Sequence, residues 1–412
     1  MPPDWLLVLL LVAGVYLWQR SVFPLWMLDS FPNQFAAFCY NAGREDLVYT
    51  DSAHLHEWEA QADSLARTLG LDCDIAPFMY APFVMEALAP FAQVSPLSWR
   101  NTVFVINTLL LFVFAYLIAR ISGAKLSYRS YLWALGLILI TYPMARATKL
   151  GQIVPLIAAL FWIGILYLRR GKEIAGGMVI GLVSALKLFP IAVLPVMILR
   201  KQFKATLTAL LTVILIYGVS LLTIGIQLHR KWFRSMMDFG GAAHPYFGNQ
   251  SIAGWISRMG FGQLMEGTMP TSEPLFVYIT TITATILAVI TLAVLWTTRD
   301  NNNVPGLEVR AVFVLSGLLL AVWTSWEHYW LFCLSVLGWA IRDVWTEGRI
   351  GRSQYWIAVT AFFFLMKLTR FYTDTDLGRI ASGTQTIGML MLWLWLIWRL
   401  RAAHTETELG QA

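Results

Sequence analysis

Residues 173–200 read EIAGGMVIGLVSALKLFPIAVLPVMILR, an apolar stretch with a lysine and a proline near its centre. A membrane helix needs about 20 apolar residues, so this stretch is too short for two full spans. Lys187 and Pro190 interrupt it, and broken helices at membrane depth are tolerated only where they are buried in protein or line a watery cavity. The stretch therefore predicts a helical hairpin beside a cavity that is reached from outside the membrane.

The composition of the whole chain agrees with a membrane location. Of 412 residues, 58% are hydrophobic and 13% charged, whereas soluble proteins carry about 25% charged residues. Apolar runs recur almost to the C-terminus and predict an all-α polytopic membrane protein with about 11–13 hydrophobic segments. We treat 1–400 as one transmembrane domain and 401–412 as a cytoplasmic tail. Residues 5–18 form the first membrane helix, since a cleavable signal peptide would need a basic start and a small-residue cleavage site.

Lys and Arg residues sit in short clusters between the apolar runs, as in cytoplasmic loops, so the net charge of +6 does not indicate nucleic-acid binding. The clusters are Arg120, Lys125 and Arg129; Arg169, Arg170 and Lys172; Arg200, Lys201 and Lys204; Arg299 and Arg310; Arg342, Arg349 and Arg352; and Arg399 and Arg401. Five helical hairpins follow, with outer tips at MARATKLGQIVP, KLFP, residues 229–274, SWEHYW and KLTRFYTDTDLGR. Most remaining polar residues lie in these tips.

Residues 25–77 are acidic and form the first outer loop; 229–274 form the second. Within the first, apolar residues are spaced for one face of a helix on the membrane surface: Leu55, Trp58, Ala62, Leu65 and Leu69. The run 80–94 is either a full crossing or a re-entrant or interfacial segment. Cys39 and Cys73 share the first loop, either bridged or as two free thiols.

Ionisable residues near apolar segments are the first candidates for function. Asp29, at the outer end of the first helix, either faces a cavity as a base or marks the helix end. Lys187 either binds a phosphate or snorkels to an interface. His328, beside Glu327, belongs either to a sugar or phosphate site or to an aromatic belt.

Two other tips hold polar candidates. Asn249, Gln250 and Ser251 have amide and hydroxyl groups that suit sugar hydroxyls, or they form a turn. The tip that holds Arg146, Lys149 and Gln152 is either part of the site or merely solvated. HLH at 54–56 is no metal motif, since ligands two apart do not share a helix face. Walker, dinucleotide and HExxH motifs are missing from the sequence, so we expect neither a metal nor a cofactor.

Several segments in this order resemble glycosyltransferase family 87, the polyprenyl-phosphate-mannose-dependent transferases of the GT-C superfamily. The resemblance rests on Asp29, on Gly43 to Tyr49 with Asp51, and on five further segments. These are FMYAPFVMEALAP, GQIVPLI, RRGKEIAGGMVIGLVSALKLFPIAVLP, GNQSIAGWISR and SWEHYW. Ala81 replaces the first proline of the family's Tyr-Pro-Pro, Ser-Phe-Pro-Asn-Gln follows Asp29 instead of an aromatic pair, and Glu327-His328 stands where the family often has a His or a His pair.

The resemblance implies a GT-C-type fold and an inverting transfer of a sugar, mannose or another hexose or pentose, from a polyprenyl-phosphate donor. The acceptor is a hydroxyl of a glycolipid or glycan on the outer side of the plasma (inner) membrane. Asp29 would be the base. The donor phosphate would be bound by Lys187, His328, Arg146 and Lys149, and sugar or acceptor by Tyr80, Gln152, Asn249, Gln250, Ser251 and Glu327.

Two other functions fit part of the pattern. A lipid or polysaccharide transporter or flippase would also have broken helices with charged residues, but an internal repeat is not visible. A polysaccharide polymerase or ligase would use Arg and His in a large outer loop, whereas the first loop here is acidic.

Overall fold

The computed structural model describes residues 4–51, 53–71, 75–121, 127–240, 245–261, 274–299, 306–335, 339 and 375–409. In these ranges the regular structure is helical, apart from one isolated β-bridge between Asn249 and Trp326. The α-helices are α1 (Asp4–Val22), α2 (Phe31–Asn41), α3 (Leu55–Thr68), α4 (Pro82–Leu88), α5 (Pro96–Ile121), α6 (Tyr128–Ile140), α7 (Tyr142–Leu150), α8 (Val154–Arg169), α9 (Glu173–Leu186), α10 (Leu194–Leu199), α11 (Phe203–Thr223), α12 (Ile226–Gly240), α13 (Ile252–Phe261), α14 (Pro274–Thr297), α15 (Leu307–Ala321), α16 (Asp376–Ala381) and α17 (Thr384–Leu409). Short 3-10 helices cover Glu45–Leu47, Ala89–Phe91, Phe189–Val193 and Glu327–Cys333.

The predicted all-α polytopic membrane fold is confirmed. Five segments within the described ranges are long and apolar enough to cross a membrane: Asp4–Val22, Pro96–Ile121, Phe203–Thr223, Val277–Thr297 and Asp376–Arg401. Five shorter apolar helical segments accompany them: Pro82–Phe91, Tyr128–Ile140, Val154–Arg169, Glu173–Leu186 and Phe189–Leu199. Residues 340–374 lie outside the described residues. They include the whole fifth basic cluster and much of the last tip.

The structure decides whether the run 80–94 crosses the membrane. It contains α4 and the 3-10 helix Ala89–Phe91, which together extend about 15 Å at about 1.5 Å per residue. The hydrocarbon core is about 30 Å thick, so this segment does not cross. The first outer loop therefore lies between two membrane crossings, α1 and α5. The second of these, α5, returns the chain to the side of the first basic cluster.

Glycines bring α9 of the broken hairpin close to α11, the long helix that follows the hairpin. A Cβ added to Gly181 of α9 would lie 2.5 Å from the carbonyl oxygen of Ala209 in α11, and one on Gly177 would overlap the carbonyl of Ala205. Two small residues four apart allow backbones to approach, which is how membrane helices associate without a hydrophobic driving force. The break predicted at Lys187 is present, because α9 ends at Leu186 and a 3-10 helix follows.

The helix predicted in the first outer loop is present as α3, and its apolar face packs on protein. Trp58, Ala62 and Ala66 are buried, and the indole Nε1 of Trp58 donates to the carbonyl of Leu47 at 2.9 Å. These side chains belong to an apolar cluster that the loop builds with α2 and α4. Cys39 is a buried member of this cluster; Cys73 lies outside the described residues, so a bridge between them stays a prediction.

Candidate functional site

The loop that carries Asp29 is held by the last turn of α7. The backbone N–H groups of Trp26 and Met27 donate to the carbonyl of Lys149, and that of Asp29 donates to the carbonyl of Leu150, each at 3.0 Å. The final carbonyls of a helix have no partner within it, so these bonds complete α7 and fix the loop at once. The first hairpin tip, which contains the end of α7, is thereby hydrogen-bonded to the loop that follows the first membrane helix.

Gly151 makes this close approach possible. It ends α7 with φ +70, a left-handed conformation that favours glycine. A Cβ at this position would lie 2.5 Å from the Cβ of Ser30 and 2.6 Å from the sulfur of Met27. Both the backbone angle and the space therefore require glycine, which explains the Gly-Gln pair of the sequence.

Gln152, the next residue, joins three segments. Its side-chain oxygen accepts a hydrogen bond of 3.2 Å from the Tyr80 hydroxyl, and its carbonyl accepts one of 3.1 Å from the amide of Asn107 in α5. The Gln152 side chain also hydrogen-bonds the Asp29 carboxyl. Gln152 and Tyr80 are thus placed beside the candidate base, as the sequence predicted for sugar or acceptor binding.

The Asp29 carboxyl lies in a half-buried, positively charged environment. Burial raises the pKa of Asp29 above its ordinary value, while the Gln152 hydrogen bond and the charges of Arg146 and Lys187 act in the opposite direction. A carboxylate with a raised pKa is a stronger base when ionised. The environment therefore suits proton abstraction by Asp29.

Lys187 lies at the break after α9 and is held by aromatic residues. Its ammonium donates a hydrogen bond of 3.0 Å to the hydroxyl of Tyr329 and lies 4.7 Å from the ring centre of Tyr80. Among the described residues, no carboxylate forms a salt bridge with Lys187. Burial raises the pKa of Tyr80 to about 12, so the Tyr80 hydroxyl keeps its proton and does not neutralise the Lys187 charge. This is a cation that an incoming anion can pair with.

His328 is 2% exposed, and neither ring nitrogen has a hydrogen-bond partner among the described residues. Burial lowers the pKa of His328, and the charges of Lys187 and Arg146 lower it further, so the imidazole is neutral. A neutral imidazole offers one N–H donor and one acceptor. Beside Lys187 and Asp29, the imidazole therefore offers a donor and an acceptor that no described residue uses.

Arg146 and Glu327 form a buried ion pair. The Arg146 Nε lies 2.6 Å from a Glu327 carboxylate oxygen, and the side chains are 5% and 2% exposed. Arg146 also donates to the hydroxyl of Tyr246 at 3.2 Å. Lys149 instead lies over the ring of Trp26, 3.6 Å from its centre. Since Glu327 already neutralises Arg146, Lys187 is the better placed cation for a phosphate; the roles predicted for Arg146, Lys149 and Glu327 stay predictions.

Asn249 lies in a buried polar cluster that is hydrogen-bonded within the protein. Its side-chain oxygen accepts from the Ser325 N–H at 2.9 Å and from the Ser251 hydroxyl at 3.0 Å, and its amide donates to the carbonyl of Trp323 at 3.0 Å. The Ser251 hydroxyl also accepts from the N–H of Gly254, which caps α13.

Gln250 extends the same cluster to α17. Its amide donates to the carbonyls of Phe247 at 2.6 Å and Ser382 at 3.0 Å, and its side-chain oxygen accepts from the Thr386 hydroxyl at 3.0 Å. We call Asn249, Gln250 and Ser251 with these partners the Asn249 knot. Its bonds join the second outer loop to the segment before His328; sugar binding by the three residues stays a prediction.

Four further residues contribute contacts that the sequence analysis did not single out. Tyr329 follows His328 directly, and Asn107 is an amide in the middle of the apolar helix α5, so both left a sequence signal. Trp26 and Tyr246 sit in segments where an aromatic residue equally fits a membrane interface. Their contacts to cations are visible only in three dimensions.

We call Asp29, Tyr80, Gln152, Lys187 and His328 the Asp29 site. It brings together a base, an unpaired cation, a neutral imidazole and hydroxyl and amide groups, which can bind a phosphate and a hydroxyl compound side by side. In the part of the chain that the structure describes, no group of three or more His, Cys, Asp or Glu is arranged to hold a metal ion.

Comparison with known proteins gives one match. The model of glycosyltransferase family 87 matches residues 78–322. No curated protein and no solved structure matches the chain. The matched range includes Tyr80, Gln152 and Lys187, begins after Asp29 and ends before Glu327.

Proposed function

The chain belongs to glycosyltransferase family 87 and is a membrane glycosyltransferase, and we propose that it transfers a sugar from a polyprenyl-phosphate donor to an acceptor hydroxyl, with Asp29 as the base. The observation that carries the proposal is the ammonium of Lys187, which forms no salt bridge with any described residue, near the half-buried carboxyl of Asp29 in a helix break. A base and a phosphate-binding cation are the two groups that such a transfer needs.

The reaction has one displacement. Asp29 takes the proton of the acceptor hydroxyl, and the resulting oxygen attacks the anomeric carbon from the face opposite the phosphate. The bond between that carbon and the phosphate oxygen breaks, and the electron pair leaves with the lipid phosphate. A single displacement inverts the configuration of the sugar.

The leaving phosphate gains a negative charge as the bond breaks. Lys187 supplies a positive charge, and the N–H of His328 supplies a hydrogen bond that a buried phosphate would otherwise lack. Groups fixed in advance where charge develops contribute much of the rate acceleration in enzymes. Tyr80 and Gln152 are positioned to bind hydroxyl groups of the sugar or the acceptor.

The location follows from the distribution of charge along the chain. The basic clusters mark the cytoplasmic end, and the Asp29 site is made from tips at the opposite end, so we place it outside the plasma membrane. The lipid tail of the donor then stays in the bilayer, and the acceptor is a glycolipid or glycan. A transporter was the alternative; family membership favours the transferase.

The test is transfer of labelled sugar from polyprenyl-phosphate mannose, and from other polyprenyl-phosphate sugars, into a lipid extract by membranes that contain the protein. Asp29→Asn should lower the rate about 10²–10⁴-fold, because it removes the base without changing the size of the side chain. The matched control is Asp46→Asn, an exposed carboxylate of the same loop, which should keep its activity.

Two outcomes contradict the proposal. Transfer that survives in Asp29→Asn would mean that another group is the base. Failure of the folded wild type with every polyprenyl-phosphate sugar, followed by transfer from a nucleotide sugar, would refute the donor class.

A further inference from the structure

The helix α12 has an exposed apolar face. Ile226, Phe233 and Met237 are 49%, 59% and 61% exposed. Their spacing of seven and four residues places them on one side of the helix. The opposite side packs on protein: Leu228 is buried in the first-outer-loop cluster, and the ring of Trp232 stacks on Tyr217 of α11. The apolar face of α12 is therefore exposed, although the opposite side of the helix is packed against protein.

The position of α12 in the chain places this face at the membrane boundary. The spanning helix α11 ends at Thr223, and only Ile224 and Gly225 separate it from α12. Leu222, in the last turn of α11, is 88% exposed, as expected for a side chain in contact with lipid. The exposed apolar surface thus continues from the span directly into α12.

The charges of α12 favour a negatively charged surface. Arg230 and Arg234 are exposed and lie along one edge of the apolar face; among the described residues neither forms an ion pair, and Arg234 also lines a pocket with Asp46 of the first outer loop. The charge of Lys231 contributes to the lowered pKa of the Asp46 carboxyl in the first outer loop. A helix with apolar residues and arginines side by side has the composition of a helix that lies in the headgroup region of a bilayer.

We propose that α12 lies in the membrane interface, with Phe233 and Met237 inserted among the acyl chains and Arg230 and Arg234 bound to the phosphates of anionic phospholipids. The contact holds the first outer loop at a fixed depth, because α12 also packs on that loop. It follows from the membrane location alone and does not depend on the reaction at the Asp29 site.

The test measures the depth of spin labels on the full-length protein in nanodiscs. Labels are placed one at a time by Phe233→Cys and Met237→Cys, with Cys73→Ser as background; Cys39 and Cys333 are buried and remain. The matched control is His56→Cys on α3, a helix of the same side whose apolar face is covered by protein. Collision with oxygen and with a water-soluble nickel complex is recorded in phosphatidylcholine with and without phosphatidylglycerol.

Labels at 233 and 237 should collide mainly with oxygen, and the label at 56 mainly with nickel. Labels at 233 and 237 that are as accessible to nickel as the one at 56 would overturn the proposal. Phosphatidylglycerol should deepen the label at 233, and Arg230→Gln with Arg234→Gln should remove that change. A depth that responds to neither the lipid nor the charges would refute the anionic contact, and Arg67→Gln on α3 is the matched charge control.

Discussion

The Asp29 site and the Asn249 knot are both buried polar clusters between the hairpin tips, yet they differ in how completely their hydrogen bonds are made. In the Asn249 knot, the side-chain atoms of Asn249 and Gln250 are bonded to backbone or side chains of neighbouring segments. In the Asp29 site, the imidazole of His328 has no hydrogen-bond partner among the described residues, and Lys187 donates to the Tyr329 hydroxyl but forms no salt bridge with any of them.

This difference separates structural from functional polar residues. Leaving a buried donor or acceptor unpaired costs about 1–3 kcal/mol, so unpaired groups that lie beside ionisable residues are candidates for ligand binding. The polar groups of the Asn249 knot stabilise the fold, whereas the His328 imidazole and the Lys187 ammonium of the Asp29 site are available to a ligand. Variants at the two places should therefore affect different measurements.

After Asp29→Asn, the largest effect should come from the cation of the Asp29 site. Lys187→Met keeps the length of the side chain but removes the charge, and should lower kcat about 10²–10³-fold because the leaving phosphate loses its stabilisation. The transfer assay measures it, with Lys172→Met at the other end of α9 as control. Equal activity of the two variants would show that Lys187 does not bind the phosphate.

Asn249→Ala should mainly lower stability. The change leaves the Ser325 N–H without its partner and removes one hydrogen bond each from the Ser251 hydroxyl and the Trp323 carbonyl, which stay bonded to each other, at a cost of about 1–3 kcal/mol. Thermal unfolding in detergent would measure the loss. Activity per folded molecule should stay near wild type; a large fall in activity with unchanged unfolding would instead support the predicted sugar-binding role.

Gly151→Ala tests the link between backbone and site. Its positive φ costs about 1–2 kcal/mol with a side chain, and its Cβ would displace Ser30 and Met27 beside Asp29. Both stability and kcat should fall. Gly171→Ala is the matched control, since Gly171 has φ +72 and an added Cβ would meet no atom within 4 Å. If both variants lose stability equally and keep full activity, the packing at Gly151 does not position Asp29.

The smallest effect is a shift in the pH dependence. Asp29 must be ionised to act as a base, so activity should fall as the pH drops through its pKa, which burial raises above that of an exposed carboxylate. The Gln152 hydrogen bond lowers this pKa, so Gln152→Ala should move the acid limb of kcat/KM to higher pH. A limb that stays in place, or moves to lower pH, would contradict this assignment.

Much of the architecture was predictable because it depends on local pattern. The apolar runs predicted the membrane class, and Lys187 and Pro190 predicted the helix break. The family resemblance was confirmed over residues 78–322. The run 80–94 remained ambiguous because hydropathy does not report where a helix ends. The turn after ten helical residues is a tertiary outcome of packing against α2.

The sequence by itself determined which ionisable and polar residues lie in the hairpin tips, since few such residues interrupt the apolar runs. The tertiary structure alone decided how each is used. It pairs Arg146 with Glu327, hydrogen-bonds Asn249 to Ser325 and, among the described residues, leaves Lys187 without a salt bridge. The physical reason is that hydrogen bonds and ion pairs form between residues that are distant along the chain, so no local pattern shows which groups remain open to a ligand.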